Sequence, residues 1–352
     1  MDTKSRQFNL AIVGLGGMGN WHRETIERID NLQVCGSFDI KPARQQFAKD
    51  HGLVPYESFE AVLADPKVDI VLCATPNDVH REIVVRSLQA GKHVVCEKPV
   101  TLSSADLQAM IDASKQADRL FVVHQNRRWD EDFLTMKKVF DEGLLGEVFR
   151  IESRVHGSRG IPGDWRQEKR HGGGMILDWG VHTLDQMLLL VPGKVKKVYA
   201  SVTHITNELV DDGFCAELTF ESGLRALLEV GTSNFVSLPR WYMLGRDGTA
   251  VIHDWSLKGE MVRITDWSKN DAVPIRTAAG LTKTMAPRTK DTIHTEPLPV
   301  VKSDIRDFYR NVMATIEGKA EIIVKLDQVM RVMKLMEVIF ASAERQQVVD
   351  FE

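Results

Sequence analysis

A Gly-x-Gly-x-x-Gly run constrains this chain more than any other feature. Gly14, Gly16 and Gly19 lie between an apolar, strand-like stretch (Asn9 to Val13) and a helix-like stretch (Met18 to Ile29). In that context each glycine has a separate job. Gly14 permits a tight turn, Gly16 lets the backbone approach a pyrophosphate, and Gly19 lets helix and strand pack closely. Gly17 and Met18 open the helix, where free N–H groups and the helix dipole favour an anion. Asp39 follows Gly19 by 20 positions and ends a second strand. It is placed to accept hydrogen bonds from both hydroxyls of an adenosine ribose and to repel a 2′-phosphate. A dinucleotide is expected, NAD ahead of NADP, although Lys41 and Arg44 nearby pull the other way. The bland alternative is a tight glycine turn that holds no ligand.

Strands and helices alternate through the first half. Val34 to Asp39, Val68 to Ala74, His93 to Cys96 and Leu120 to Val123 read as strands. Helices are expected from Pro42, from Asn77 to Ala90, and from a Ser103/Asp106 capping box to Ala117. Such alternation predicts a parallel sheet with helices on both faces, its ligand edge at the strand C-termini. Thr75, Lys98 and the residues after Val123 should all reach that edge. The second half changes character. Val148 to His156, Val195 to Thr206, Gly213 to Phe220, Leu224 to Ser233 and Trp241 to Leu244 suggest a mostly antiparallel sheet. A Gly- and Arg-rich loop at 157–174 leads into a helix from Met175 to Leu190. Residues 271–300 look like an extended excursion, and two helices, 303–316 and 326–343, close the chain. The fold class is therefore α/β, with a Rossmann domain over 1–125 and an α+β domain over 126–352.

With 352 residues, two domains of ordinary size fit. The net charge of −4 gives no general reason to bind nucleic acid or an anionic membrane. Four separated cysteines, three or more in apolar runs, suit a reducing cytoplasm. Neither an HExxH motif nor a cysteine cluster offers a metal-ligand set, so no metal is expected.

Chemistry concentrates in two short motifs. Glu97-Lys98-Pro99 leaves an apolar strand at the ligand edge, where a lysine ammonium can meet a substrate oxygen. Alone, such a tripeptide is more often a solvated turn. Asp178 and His182 stand four apart on an expected helix and should share one face. Asp185, three further on, could also approach His182. A helix-surface hydrogen bond is the competing explanation for the pair. Trp129, Trp165, Trp179 and Tyr242 could stack on a sugar ring, and core packing is the competing role for each. Met330, Met333 and Met336 form a core-facing stripe.

The stretches AIVGLGGMG, ATPNDVH (74–80), GKHVVCEKP (91–99), GLLGEV (143–148) and GGGMILDWGVHTLDQ (172–186) together resemble the Gfo/Idh/MocA oxidoreductases, over nearly the whole chain. The resemblance implies that Lys98, Asp178 and His182 occupy the family's lysine, aspartate and histidine positions. It also implies an open sheet used in oligomer contacts, with dimer and tetramer both possible. Thr75, Pro76 and Asn77 are expected under the nicotinamide ribose, with His80 facing the same cleft and Glu97 on that ribose. Asn126, Arg127 or Arg128 should enter the cleft, an interdomain ion pair being as plausible for either arginine. Trp165 and Arg166 are expected near cofactor and substrate entrance, and His156 and Arg127 near the substrate.

The expected activity is hydride transfer from a secondary hydroxyl of a sugar, glycoside or cyclic polyol to NAD. Either His182 or Lys98 could take the proton. Residues 163–166 and 171–186 resemble the branch that oxidises glycosides at the sugar C3 hydroxyl. The alternatives are an inositol or inosose dehydrogenase, redox-neutral glycoside cleavage with transient NAD chemistry, and a non-catalytic NAD sensor.

Overall fold

The computed structural model describes residues 6–269, 274–282, 285 and 287–352. Its first sheet is six-stranded and parallel, in the order β3-β2-β1-β4-β5-β6. The strands are β1 (Phe8–Val13), β2 (Leu32–Phe38), β3 (Val54–Pro55), β4 (Ile70–Cys73), β5 (His93–Cys96) and β6 (Phe121–Val123). Between them run α1 (Gly17–Ile26), α2 (Pro42–Asp50), α3 (Phe59–Ala64), α4 (His80–Gln89) and α5 (Ser104–Ala117). This is the order of a dinucleotide-binding Rossmann sheet, whose strand sequence reverses beside β1 and opens a crevice there. Central strands covered on both faces read as unbroken apolar runs. Ile70, Val71, Leu72 and Cys73 are all fully buried, which explains why β4 carries no polar alternation. Each such side chain contributes about 1.5–3 kcal/mol relative to exposure. Ser103 caps α5 by accepting from the Asp106 N–H, and its hydroxyl donates back to the Asp106 carboxylate.

After α6 (Glu131–Asp141) the chain builds a nine-stranded sheet. Its members are β7 (Val148–His156), β8 (Val195–Thr203), β9 (Gly213–Phe220), β10 (Arg225–Gly231), β11 (Trp241–Gly245), β12 (Gly248–Ile252) and β13 (Gly259–Ile264). A small ribbon follows, β14 (Ile275–Thr277) with β15 (Gly280–Thr282), and then β16 (Ile293–Glu296) and β17 (Val349–Asp350) join the large sheet. The order is β16-β13-β12-β11-β7-β10-β9-β8-β17, antiparallel except where β7 meets β10. One face buries Phe214, Ala216, Leu218 and Phe220 from β9 and packs on α7 (Val181–Leu190) and α9 (Leu326–Arg345). The other face carries half-buried Cys215, Glu217 and Thr219, the alternation of an open sheet.

The last helices tie the two sheets together. The Tyr309 hydroxyl on α8 (Arg306–Ile316) meets His22 of α1 at 2.6 Å. Ser104 at the start of α5 donates through its N–H and hydroxyl to Glu337 of α9. Met333 and Met336 are buried in this packing, with Met330 at its margin. No helix among the described residues is long and apolar enough to cross a membrane.

Two expected helices begin differently. The stretch from Asn77 opens with a 3-10 turn at Asn77–Val79 before α4. The stretch from Met175 opens with a π turn at Ile176–Gly180 before α7. Buried Asp211 anchors this second start. Its carbonyl accepts from the Met175 N–H and its carboxylate from the Ile176 N–H. Burial pushes the Asp211 carboxyl up to about 6 despite those bonds. Residues 271–273, 283, 284 and 286 of the expected excursion lie outside the described residues; the remainder holds β14, β15 and β16.

Candidate active site

The glycine turn is built as a nucleotide cradle. A Cβ on Gly14, which has φ +95°, would stand 2.6 Å from the Ala74 carbonyl oxygen; one on Gly19 would stand 2.1 Å from that of Gly14. A Cβ on Gly16 or Gly17 would meet nothing within 4 Å, so the turn is tight inside and open outside. Gly16 caps α1, and the N–H groups of Gly17 and Met18 begin its first turn. Asp39 accepts from the Leu15 N–H at 2.9 Å and from the Lys41 N–H at 2.8 Å, which fixes its carboxylate beside the turn. At the end of β6, both side-chain polar atoms of buried Gln125 lack a protein partner, as does the Asn126 side-chain oxygen. Open space at the glycines and orphaned amides at the strand ends fit a polar dinucleotide along this edge.

Lys98 bridges the two halves of the chain. Its ammonium donates to the Asp178 main-chain oxygen at 3.0 Å and to the Asp178 carboxylate at 3.2 Å. Arg166 approaches the other carboxylate oxygen at 3.2 Å. Burial opposes ionisation of Asp178, but Lys98 and Arg166 more than offset it and hold the carboxyl below its ordinary value. An ammonium has three donors, so one N–H of Lys98 remains for a ligand.

His182 lies one helical turn beyond, 4% exposed, with Nδ1 unpartnered. Burial first, then the Lys98 and Arg127 charges, hold its pKa well below the ordinary histidine value. The imidazole is therefore neutral near pH 7, with a free lone pair to accept a hydrogen bond. Asp178 and His182, expected to share one face, are not joined by the helix-surface hydrogen bond that was the competing explanation. The chain runs from a π turn at Ile176–Gly180 into α7 here, and the Asp178 carboxylate is engaged by Lys98 and Arg166. Asp185 does not approach His182 either. It forms a buried two-pronged pair with Arg128 at 2.8 and 2.6 Å, an ion pair within the second domain and not the interdomain pair expected of one arginine.

Three residues expected at the cofactor have side-chain polar atoms engaged within the protein. The Glu97 carboxylate is 5% exposed, accepts from His22 and His124 through Oε1, and accepts the Lys98 N–H through Oε2. Its acceptor sites face the protein and not the nicotinamide ribose. His80 is fully buried and spans the Thr75 and Val100 carbonyl oxygens. Asn77 donates to the His171 and Gly172 carbonyls, closing the Gly-rich loop onto the nucleotide-side edge. A Cβ on Gly172 would stand 2.3 Å from Leu102 and 2.9 Å from the Asn77 amide, so that seam admits only glycine. Thr75 and Pro76 do lie at the edge, with the Thr75 methyl 3.0 Å from where a Gly14 Cβ would be.

Two groups of potential metal ligands occur among the described residues, Cys73/His80/Cys96 and His22/Glu97/His124. In the first, both His80 nitrogens are engaged by carbonyls. In the second, both His22 nitrogens are engaged, by Glu97 and Tyr309.

Beside Asp178 opens a cavity of about 630 Å³, walled by Arg127, His156, Trp179 and Trp255 among others. It includes Arg127 and His156 from the sequence expectation. Trp165 stacks on Arg166 and is outside the wall, Trp129 packs on Phe308, and Tyr242 sits on the sheet. Trp255 was not anticipated. Its signal in the sequence is a short Asp-Trp-Ser turn between the apolar runs of β12 and β13. Gln125 was missed because a glutamine after a strand carries no pattern of its own.

Comparisons with known proteins agree with this architecture. Residues 8–125 match the family described as "Oxidoreductase family, NAD-binding Rossmann fold", and residues 133–251 match "GFO/IDH/MocA C-terminal domain". A NAD-binding protein from Listeria innocua has a solved structure that superimposes with a TM-score of 0.95 at 50% identity, covering 98% of this chain and 99% of that one. The scyllo-inositol 2-dehydrogenase (NADP(+)) IolW of Bacillus subtilis is 27% identical over 98% of this chain and 96% of its own length. The myo-inositol 2-dehydrogenase of Thermotoga maritima is 30% identical over 63% of this chain and 68% of its own. This chain belongs to the Gfo/Idh/MocA family of NAD-binding oxidoreductases.

Proposed function

We propose that this protein is an NAD-dependent dehydrogenase of a secondary hydroxyl on a sugar, a glycoside or a cyclic polyol. One observation carries the reading. A lysine ammonium with a donor to spare and a neutral, buried imidazole flank the same carboxylate-lined edge, next to an open glycine cradle. NAD held by Gly14, Gly16, Gly17, Met18, Gly19, Asp39, Thr75 and Pro76 would supply the hydride acceptor. The chain's own groups supply the rest. Lys98 holds the substrate hydroxyl and favours the developing alkoxide. His182 takes the hydroxyl proton, its low basicity keeping it unprotonated. Asp178 positions Lys98, and Arg166 keeps Asp178 ionised. Asn126 lies on the nicotinamide side, Trp165 at the entrance, and Arg127 and His156 on the substrate side.

The glycoside branch, with attack at the sugar C3 hydroxyl, is the narrower reading. A cavity of about 630 Å³ beyond the catalytic groups favours it, because it gives space to more than the reacting ring. An inositol dehydrogenase is the second reading, favoured by the two inositol-oxidising relatives. NAD is preferred over NADP on the strength of Asp39, although one of those relatives uses NADP. A homo-oligomer is expected from the open face of the nine-stranded sheet. The test is to mix the purified protein with NAD and a panel of inositols, free sugars and glycosides, following NADH and product mass. NADH with a product two hydrogens lighter supports the dehydrogenase. Aglycone release without net NADH would replace it with redox-neutral cleavage.

A further inference from the structure

The cavity beside Asp178 adjoins the reacting centre and extends beyond it. Its wall includes Asp178, Arg127, Trp179 and Trp255, but neither Lys98, His182 nor any residue of the glycine turn. A ring held at Lys98 and His182 would leave this space for another part of the same molecule. Trp255 stands at the tip of the β12–β13 hairpin and is 50% exposed, a costly position for so large an apolar side chain. The hairpin is nevertheless fixed. Asp254 accepts from the Ser256 N–H, and the His253 N–H closes onto the Lys258 carbonyl.

The indole is propped from within. The Arg127 guanidinium lies 4.1 Å from the Trp179 ring centre and 5.4 Å from that of Trp255. Arg240 lies 4.8 Å from the Trp255 ring. Trp179 and Trp255 are 5.9 Å apart, tilted by 44°. Both arginines have internal carboxylate partners, Arg127 with Asp130 at 2.9 Å and Arg240 with Asp132 at 3.1 Å. Their charge is already answered, so they stiffen the aromatic stack and do not form an anion clamp. What remains is a half-exposed indole that lines the cavity together with Ser158 and Arg159. The ligand that suits it is neutral, with an apolar ring face and a polar rim.

We propose that Trp255 is the platform of a second subsite, which takes the aglycone or second sugar ring of a neutral glycoside while the first ring reacts at Lys98. The proposal rests on the dehydrogenase reading and names its substrate class as two-ring glycosides. A single-ring polyol would leave the platform empty.

The test compares kcat/KM for phenyl and methyl β-D-glucopyranoside in the wild type, Trp255→Ala and Trp255→Phe. The expected wild-type preference for the phenyl glycoside is about tenfold, and Trp255→Ala brings the ratio close to one while Trp255→Phe keeps most of it. A ratio unchanged by Trp255→Ala overturns the platform and leaves the dehydrogenase standing. A loss of oligomeric mass in Trp255→Ala with an unchanged ratio overturns it too, and assigns the indole to a subunit contact. If no sugar or polyol reduces NAD, the dehydrogenase reading fails by itself, and the platform is read from binding. Saturable quenching of tryptophan fluorescence by cellobiose in the presence of NAD, lost in Trp255→Ala, supports it. Absent quenching, or quenching that survives the substitution, overturns it.

Discussion

The Lys98 ammonium donates to both the main-chain oxygen and the carboxylate of Asp178, at 3.0 and 3.2 Å. One strand end of the Rossmann sheet thereby holds the π turn that starts α7. The two contacts aim the remaining N–H of Lys98 while Arg166 shares the carboxylate. Lys98→Met keeps the length of the side chain and removes the charge. Its kcat/KM should fall by about 100- to 10,000-fold, while the Kd for NAD changes little. Steady-state kinetics beside NAD titration checks this. Turnover within tenfold of the wild type would remove Lys98 from the chemistry.

The pH profile separates the two candidate bases. Burial, with the nearby Lys98 and Arg127 charges, holds His182 well below the ordinary histidine value. A base with a depressed pKa stays unprotonated as the pH falls through 6.5. The kcat/KM profile should therefore stay flat between about pH 8 and 6 and decline only at lower pH. A limb centred near 6.5 would mean an exposed, ordinary imidazole, and an acid limb that survives His182→Asn would point to another base. His182→Asn should lower kcat by about 100-fold or more and abolish the acid limb.

Acid stability follows from the buried cluster behind the site. Burial and the neighbouring His124 lower His22 to about 4, against Glu97, which raises it. Between about pH 6.5 and 4 the unfolded chain binds a proton at this position that the folded chain refuses. The stabilisation is complete above 6.5 and is lost as the pH falls through 4. Glu97 extends the loss downward. Burial raises its pKa, but His124 and His22 together pull it well below the usual carboxylate range. Its stabilisation is present above the ordinary glutamate value and lost below it. Tm should fall by several degrees between pH 6.5 and 4.5, and His22→Gln should flatten that slope in a thermal-melt series.

Cofactor choice is expected to turn on Asp39. The carboxylate is fixed by the Leu15 and Lys41 N–H groups, so it cannot swing away from a 2′-phosphate without losing two hydrogen bonds. Asp39→Ala should raise the KM for NAD about tenfold and shift the NADP-to-NAD ratio toward NADP, with Lys41 and Arg44 free to meet the added phosphate. An unchanged ratio of kcat/KM for the two cofactors would contradict this reading.

The sequence made the Rossmann half legible because each feature there has a strict spacing. Gly14 and Gly19 are demanded by backbone contacts of 2.6 and 2.1 Å, and β4 by complete burial. The positions of Lys98 and Asp178 were legible for the same reason. What they touch was not. Four-residue spacing implied an ordinary helix from Asp178 to His182, yet it opens with a π turn anchored by Asp211, 33 residues away from Asp178 in the chain. Glu97 looked like an exposed ligand from its tripeptide and proved to be the centre of a buried cluster assembled from α1, the end of β6 and α8. Trp255 depends on cations brought from two other segments. Long-range partners such as these leave no period in the sequence.

The Arg128–Asp185 pair tests how the segment that follows β6 is held against α7. Both side chains are almost fully buried, and the guanidinium also reaches the Ile323 carbonyl and Gln328. Removing one partner leaves the other charge buried without compensation, which costs about 3–5 kcal/mol. Arg128→Met should lower the unfolding free energy by that amount, and Asp185→Leu alone should be comparably damaging. The double variant replaces both charges by apolar groups and should recover most of the loss, because neither desolvation cost remains. Urea unfolding of the four proteins measures the coupling directly. Additive losses in the double variant would show that the two residues act independently, against the two-pronged geometry at 2.8 and 2.6 Å.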